Sequence, residues 1–326
     1  MNAPPSLAEL EAAAAEVHAV FAPTPVRRWP LLAARAGAEV WVKHENETPV
    51  RAFKVRGGLV HLARLKAARP DLAGVISATT GNHGQSLAFA GARLGIAVTI
   101  LVPFGNSVEK NAAMRAWGAR LIEHGVDFDE ARAEAERLAE AERLVFVPSY
   151  HPDLVLGVAS WALELFRAAP PLDALYVPIG LGSGISGAIA ARDALGLGTE
   201  IIGVQAEGAP AYALSFAARA VVCSNRAATR ADGVATRIPD PAALAVILAG
   251  AARIVTVSDG AIAAAIRAYW TDTHTLAEGA GAAPLAALLA ERERMAGRRV
   301  GLVVSGGNID LALFRDWVLD PASANK

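Results

Sequence analysis

The chain has 326 residues, 53% of them hydrophobic and 19% charged, with a formal net charge of −1. That balance supports a large packed core, excludes wholesale disorder and gives no electrostatic basis for binding nucleic acid or an anionic membrane. Cys223 is the single cysteine, so no intrachain disulfide forms and a reducing cytoplasm is the expected location. No basic-then-apolar leader opens the sequence, so a signal peptide is not expected. The longest apolar run, Ala242–Ala252, is far shorter than the ~18 residues of a membrane span.

Residues 7–20 (LAELEAAAAEVHAV) predict a first helix and EVWVKHE a strand. From residue 74, short β-rich runs alternate with helical patterns. GVISA leads to a helix from Gly84, AVTILVP to a helix near Ser107–Trp117, and ARLIEHG to a helix over Asp127–Glu142. In the last of these, Phe128, Ala131, Ala135 and Leu138 recur at helical spacing, with Glu and Arg opposite. After LVFVP comes a helix over Asp153–Ala168, then ALYVPIG, a helix, EIIGVQA, further helices, RIVTVS and RVGLVVSGG. Only the closing PASANK looks like a frayed tail. Apolar strands each followed by a helix imply parallel sheets covered on both faces. Two such series predict two α/β lobes: a small one over 74–149 and a large one from 1–73 and 150–326.

Three glycine-rich stretches carry the chemistry. GLGSGISG (180–187) follows a strand and opens a helix, where backbone N–H groups converge on an anion such as phosphate. It also contains a G-x-G-x-x-G match at Gly182, Gly184 and Gly187, with Glu207 ending the next strand, so a dinucleotide site competes for the same residues. SATTGNHGQS places Thr79, Thr80, Asn82 and His83 at another helix start, suited to a carboxylate or equally to an N-capped turn. VVSGGN leaves Ser305 at the carboxyl edge of a parallel sheet, where α/β proteins bind ligands. His18 and His61 fall on helical stretches and His124 ends a strand; no C-x-x-C, H-E-x-x-H or Asp-rich loop supports a metal site, and none is expected. No G-x-S-x-G elbow supports a hydrolase.

Only five lysines are present. Lys66 lies on a basic helical face, Lys110 near a helix start, Lys326 at the terminus, and Lys43 alternates out of a strand. Lys54 alone sits between Phe53 and Val55 in an apolar run. A desolvated amine has a lowered pKa and attacks carbonyls as a neutral nucleophile; a lysine that snorkels to the surface is the alternative. With a phosphate cradle, an anion loop and a sheet-edge serine, such an amine describes a pyridoxal phosphate pocket.

HENETPVRAFKVRGG, TTGNHGQSLAFAGARLGI, PIGLGSGISG, ADGVA, AEGAGAA and VVSGGNID stand in the order and spacing of the fold-type II pyridoxal-phosphate enzymes, and the chain resembles their threonine/serine dehydratase and serine racemase branch over roughly residues 20–315. The resemblance implies a two-lobed α/β fold of the tryptophan synthase β type. It implies that Lys54 carries the cofactor, with Phe53 packing by the ring and Asn82 facing the ring oxygen. Gly180, Leu181, Gly182, Ser183 and Gly184 would hold the phosphate, Ser305 would meet the pyridine nitrogen, and Glu278 would border the pocket. Thr79, Thr80, Asn82 and His83 would receive the substrate. It also implies a homodimer acting on a small-molecule amino acid.

The pattern is not followed throughout. The usual Gly-Ser before Phe-Lys is Arg51-Ala52, the serine before Gly-Asn-His is Thr80, and one phosphate-loop glycine is Ser183. Racemases of the branch hold a cation partly through a Glu and an Asp; Glu207 fits the first, but Ala213 stands at the second. The sequence stops just after the catalytic region, so the regulatory module of biosynthetic threonine dehydratases is expected to be absent. The expected activity is β-elimination of a 3-hydroxy amino acid to a 2-oxo acid and ammonia, with Lys54 as base and Thr80 bulkier than a proton-returning serine. Arg51 either points to solvent or contacts a larger substrate side chain, of the phenylserine or hydroxyaspartate kind. The alternatives are an amino acid racemase on the same scaffold and a nicotinamide dehydrogenase built on Gly182–Gly187.

Overall fold

A computed structural model describes residues 4–225 and 227–320; the PASANK segment lies outside them. Ten strands form two sheets: β1 (Val26–Arg28), β2 (Glu39–His44), β3 (Val75–Ala78), β4 (Val98–Val102), β5 (Arg120–Glu123), β6 (Val145–Phe146), β7 (Ala174–Pro178), β8 (Glu200–Ala206), β9 (Ala251–Val257) and β10 (Arg299–Val304). The six-stranded sheet runs β1-β2-β10-β7-β8-β9 and the four-stranded sheet β5-β4-β3-β6. Every pairing is parallel except β1 with β2. Among the described residues no helix is long and apolar enough to cross a membrane.

The apolar runs are continuous because both faces of each sheet are covered. In β7, Ala174 and Tyr176 enter one core while Leu175 and Val177 enter the core on the other face. In β4, Val98, Ile100 and Val102 pack on one side and Leu101 on the other. The side-chain period of two thus feeds two cores from one strand. The predicted strands from EVWVKHE to RVGLVVSGG are all present, whereas β1 and the helix Pro30–Ala36 are additions that no periodicity announced.

The helix Lys54–Ala68 lies between the sheets and lends Val55, Leu59 and Leu62 to the core beside the smaller one. Its other side is anchored by a buried ion network. Arg56 grips Glu45 with two bonds, Nε to Oε2 at 2.6 Å and Nη2 to Oε1 at 2.9 Å, and reaches Glu164 Oε1 at 2.6 Å and Ser160 Oγ at 2.9 Å through Nη1. Lys43 joins the network by donating to the Thr24 carbonyl at 2.7 Å and to Glu164. Lys43 is therefore not an outward-facing strand lysine: it is fully buried, because helix Pro152–Ala168 covers that face of the sheet and supplies its carboxylate. Burial works against ionised Glu164, but Arg56 and Lys43 together hold its carboxyl down at about 2.

Candidate active site

The approach to Lys54 is fixed by backbone contacts. Phe53 N–H donates to the Ser305 carbonyl at 3.0 Å, Gly307 N–H donates to the Arg51 carbonyl at 2.9 Å, and Ala52 forms an isolated bridge with Gly306. These bonds lash the first turn of helix Lys54–Ala68 to the end of β10, so Lys54 and Ser305 face one space. Thr48 Oγ1, bonded to Ala52 N at 2.9 Å, tightens the turn. Arg51 holds φ = 60°, the left-handed region that favours glycine.

Lys54 opens into a cavity of about 630 Å³. Its Nζ donates to Ser183 Oγ at 2.8 Å and lies 5.2 Å from the centre of the Phe53 ring. No carboxylate pairs with it, and burial lowers its pKa to about 8. Facing it is the N-terminus of helix Ser183–Ala194, which no side chain caps. That end presents free N–H groups to the cavity. A Cβ at Gly180 would stand 2.4 Å from the Gly233 carbonyl oxygen, and Gly182 has φ = 98°, whereas one at Gly184 would meet the Phe53 ring at an ordinary 3.4 Å. The turn 180–184 therefore needs Gly180 and Gly182, and Leu181 is fixed by accepting a bond from the Tyr212 hydroxyl at 3.0 Å.

The opposite wall is the start of helix Asn82–Leu94. Gly81 N–H donates to Thr79 Oγ1 at 3.0 Å. Asn82 is held from both ends: Nδ2 donates to Glu278 Oε1 at 2.6 Å, and Oδ1 accepts from Asn308 at 2.9 Å. His83 is buried; desolvation first, and then the Lys54 charge, lowers its pKa to about 3, and its Nε2 has no partner. It is a neutral imidazole in the wall. Beneath Asn82, Lys110 bonds Asp232 at 2.5 Å and lies 3.6 Å from Glu278 Oε2. Its pKa is raised: burial opposes the charge, but Asp232 and Glu278 overcome it. Burial raises Glu278 to about 7, with Lys110 pulling the other way.

Phe53, Lys54, Thr79, Thr80, Asn82 and His83 all line this cavity, as do Gly180–Gly184, Glu278 and Ser305. Arg51 does not: its side chain is exposed and away from the lining. The guanidinium groups that do line it are Arg132 and Arg237, which sequence reasoning passed over. Arg237 is bound to Asp127 and Asp129, so it joins the loop after the ADGVA stretch to the start of helix Phe128–Ala141. Arg132 is tied only to Glu136 on its own helix, at 2.8 Å. Lys110 was equally missed as a site residue, because its partners lie 122 and 168 residues away and leave no local signal.

The family profile described as "Pyridoxal-phosphate dependent enzyme" matches residues 17–306. The chain belongs to that family. Among its relatives, an L-threo-3-hydroxyaspartate ammonia-lyase of Pseudomonas sp is 33% identical over 292 residues, 89% of this chain and 91% of that protein. A serine racemase of Schizosaccharomyces pombe is 32% identical over 282 residues, covering 86% and 87%. The structure of the processed form of threonine deaminase isoform 2 from Solanum lycopersicum superposes with a TM-score of 0.86 at 28% identity, over 95% of this chain and 93% of that one.

Membership makes pyridoxal 5′-phosphate the cofactor and removes the nicotinamide reading of Gly182–Gly187. The donor set fits it: an unpaired, desolvated amine stands on one side, an uncapped helix N-terminus with clash-limited glycines on the other, and an uncharged serine at the sheet edge. Glu207, the residue matched to the racemase cation, is exposed and joins no group of potential ligands among the described residues. A group that does form, His61 with His151 and Asp153, lies outside the lining of the cavity.

Proposed function

We propose that this pyridoxal-phosphate enzyme removes water from a 3-hydroxy amino acid by β-elimination, the product hydrolysing to a 2-oxo acid and ammonia. The observation that carries the reading is the Lys54 amine: half-buried at the cavity wall, with no carboxylate beside it among the described residues, 2.8 Å from the Ser183 hydroxyl and opposite the Thr79–His83 wall. Bound in this cavity, pyridoxal phosphate supplies the electron sink that makes the substrate's α-hydrogen acidic. Lys54 is the residue that would hold the cofactor, and its Nζ, once free, would take the substrate's α-proton. A pKa near 8 leaves a useful neutral fraction of the amine at neutral pH.

The turn Gly180–Gly184 and the helix behind it receive the phosphate through backbone N–H groups. Thr79, Thr80, Asn82 and His83 receive the substrate carboxylate. Because His83 stays neutral, it orients that carboxylate by hydrogen bonding and adds no charge. Ser305, just past the end of β10, would offer the pyridine nitrogen an uncharged partner. Thr80 carries a methyl that a serine lacks, which stiffens the position, so elimination is expected to exceed racemisation.

For the substrate, the reading favours a side chain larger than that of serine, ending in a carboxylate. Arg132 takes the part first expected of Arg51, since it lines the cavity from an exposed position and, among the described residues, is engaged by Glu136 alone. The division into lobes 1–73 with 150–326 and 74–149 is supported by the strands, since all four of the smaller sheet lie between Val75 and Phe146. A homodimer in the cytoplasm completes the proposal.

The test is ammonia and oxo-acid release from serine, threonine, threo-phenylserine and threo-3-hydroxyaspartate, with chiral analysis of the remaining substrate. Hydroxyaspartate is expected to rank first. Arg132→Ala is expected to raise its KM about 10- to 100-fold, the worth of a charged hydrogen bond, while leaving threonine nearly unchanged. Threonine ranking first in both proteins would remove the distal carboxylate from the proposal; D-amino acid forming faster than oxo acid would favour the racemase reading.

A further inference from the structure

His61 projects from helix Lys54–Ala68, while His151 caps helix Pro152–Ala168 and Asp153 lies in its first turn. The two imidazole rings are 4.5 Å apart. Each of the three residues offers one ligand atom, and these atoms lie within 4.8 Å of one another. The His61 side chain is 8% exposed, and its Nδ1 is buried with no hydrogen-bond partner. The facing oxygen, Asp153 Oδ2, is 3.5 Å from both His61 Nδ1 and His151 Nδ1. A buried ring nitrogen whose facing carboxylate stands off at 3.5 Å calls for an explanation, of which an absent ion between them is one.

We propose that His61, His151 and Asp153 form a binding site for one divalent transition-metal ion of the zinc type. His151 Nδ1, the ring nitrogen 3.5 Å from Asp153 Oδ2, accepts only a long bond from the Asp153 N–H at 3.2 Å, which an ion bound to that nitrogen would displace. Arg64 donates to Asp153 Oδ1 at 3.0 Å, which leaves Oδ2. Two imidazoles and one carboxylate suit Zn²⁺, Co²⁺ or Ni²⁺, with water in a fourth position; Ca²⁺ and Mg²⁺ prefer all-oxygen shells. Arg64 and the N-terminus of helix Pro152–Ala168 are both positive and weaken the site relative to one built without them. The site stands independently of the proposed reaction. Its three residues lie outside the cavity lining, although Tyr150, which lines the cavity, precedes His151 and His61 acts electrostatically on His83.

The experiment uses untagged holoenzyme, stripped with a chelator and titrated with Zn²⁺ by calorimetry, with bound metal counted per chain by mass spectrometry. One ion per chain is expected. Binding should weaken at least about tenfold in His61→Gln and in His151→Ala, with the cofactor's absorption unchanged. If His61→Gln does not fold, His151→Ala decides alone, since that ring is 39% exposed and its loss opens no cavity. No ion on the wild-type protein, or wild-type affinity in His151→Ala, overturns the proposal.

Discussion

Lys54 and Lys110 stand in the walls of one cavity, and burial acts against the charge of both. Lys110 meets Asp232 at 2.5 Å and Glu278 at 3.6 Å, so its proton is held more tightly than in water. Lys54 meets only the hydroxyl of Ser183 and an aromatic ring, so its pKa falls to about 8. Desolvation alone does not make a reactive amine; desolvation without a counter-charge does. Two residues along the same helix, Arg56 repeats the Lys110 pattern with Glu45 and Glu164 and serves as an anchor. Among the described residues the buried cations Lys43, Arg56 and Lys110 each meet a carboxylate, and Lys54 at the cavity wall does not.

The largest test of this contrast is Lys54→Ala. One residue supplies both attachment and proton transfer, so turnover should fall by at least the ~100- to 10,000-fold of a general base, and borohydride should no longer fix the cofactor to the chain. Activity near wild type would end the account. Lys110→Met breaks the other half. It leaves buried Glu278 facing Asp232 without a cation and should cost about 3 kcal/mol, the low end for a broken buried pair, because Glu278 can take up a proton. Denaturant unfolding of the holoenzyme measures it. The predicted Lys110 signature is a stability loss with the borohydride-fixed attachment at Lys54 intact. Arg51 is the control, a cation beside Lys54 in sequence but outside the cavity. Arg51→Gly removes a side chain from φ = 60° and should stabilise by about 1 kcal/mol with the substrate ranking unchanged. A changed ranking would return Arg51 to the site.

Much of this was legible in the sequence because it is local. Strand–turn–helix patterns marked the phosphate turn at 180–187 and the Thr79–His83 loop, and the apolar flanks of Lys54 set it apart from the other lysines. What escaped depends on distant partners. Lys43 looked solvent-facing because alternation along β2 implies one exposed face; a helix more than 100 residues later covers it and supplies Glu164. Arg51 looked like a substrate contact because of its neighbours, but its left-handed backbone turns it outward. Arg132 and Arg237 sit in stretches whose helical and loop patterns are complete without any site role. His61 was read as a helical residue, and nothing near it in the chain announces His151.

The most direct measurement of the central claim is the rate at which pyridoxal phosphate attaches covalently to the apoenzyme as a function of pH. It is followed by absorbance and referred to the same reaction with Nα-acetyl-lysine, so that the cofactor's own titration cancels. Only the neutral amine attacks, so the rate should rise with pH and level off once Lys54 has lost its proton. With the amine at about 8, the rate is half-maximal near pH 8 and levels off above about pH 9, before the reference lysine does. A rate that keeps climbing past pH 10 in parallel with the reference would show that Lys54 holds its proton as Lys110 does, and would contradict the account.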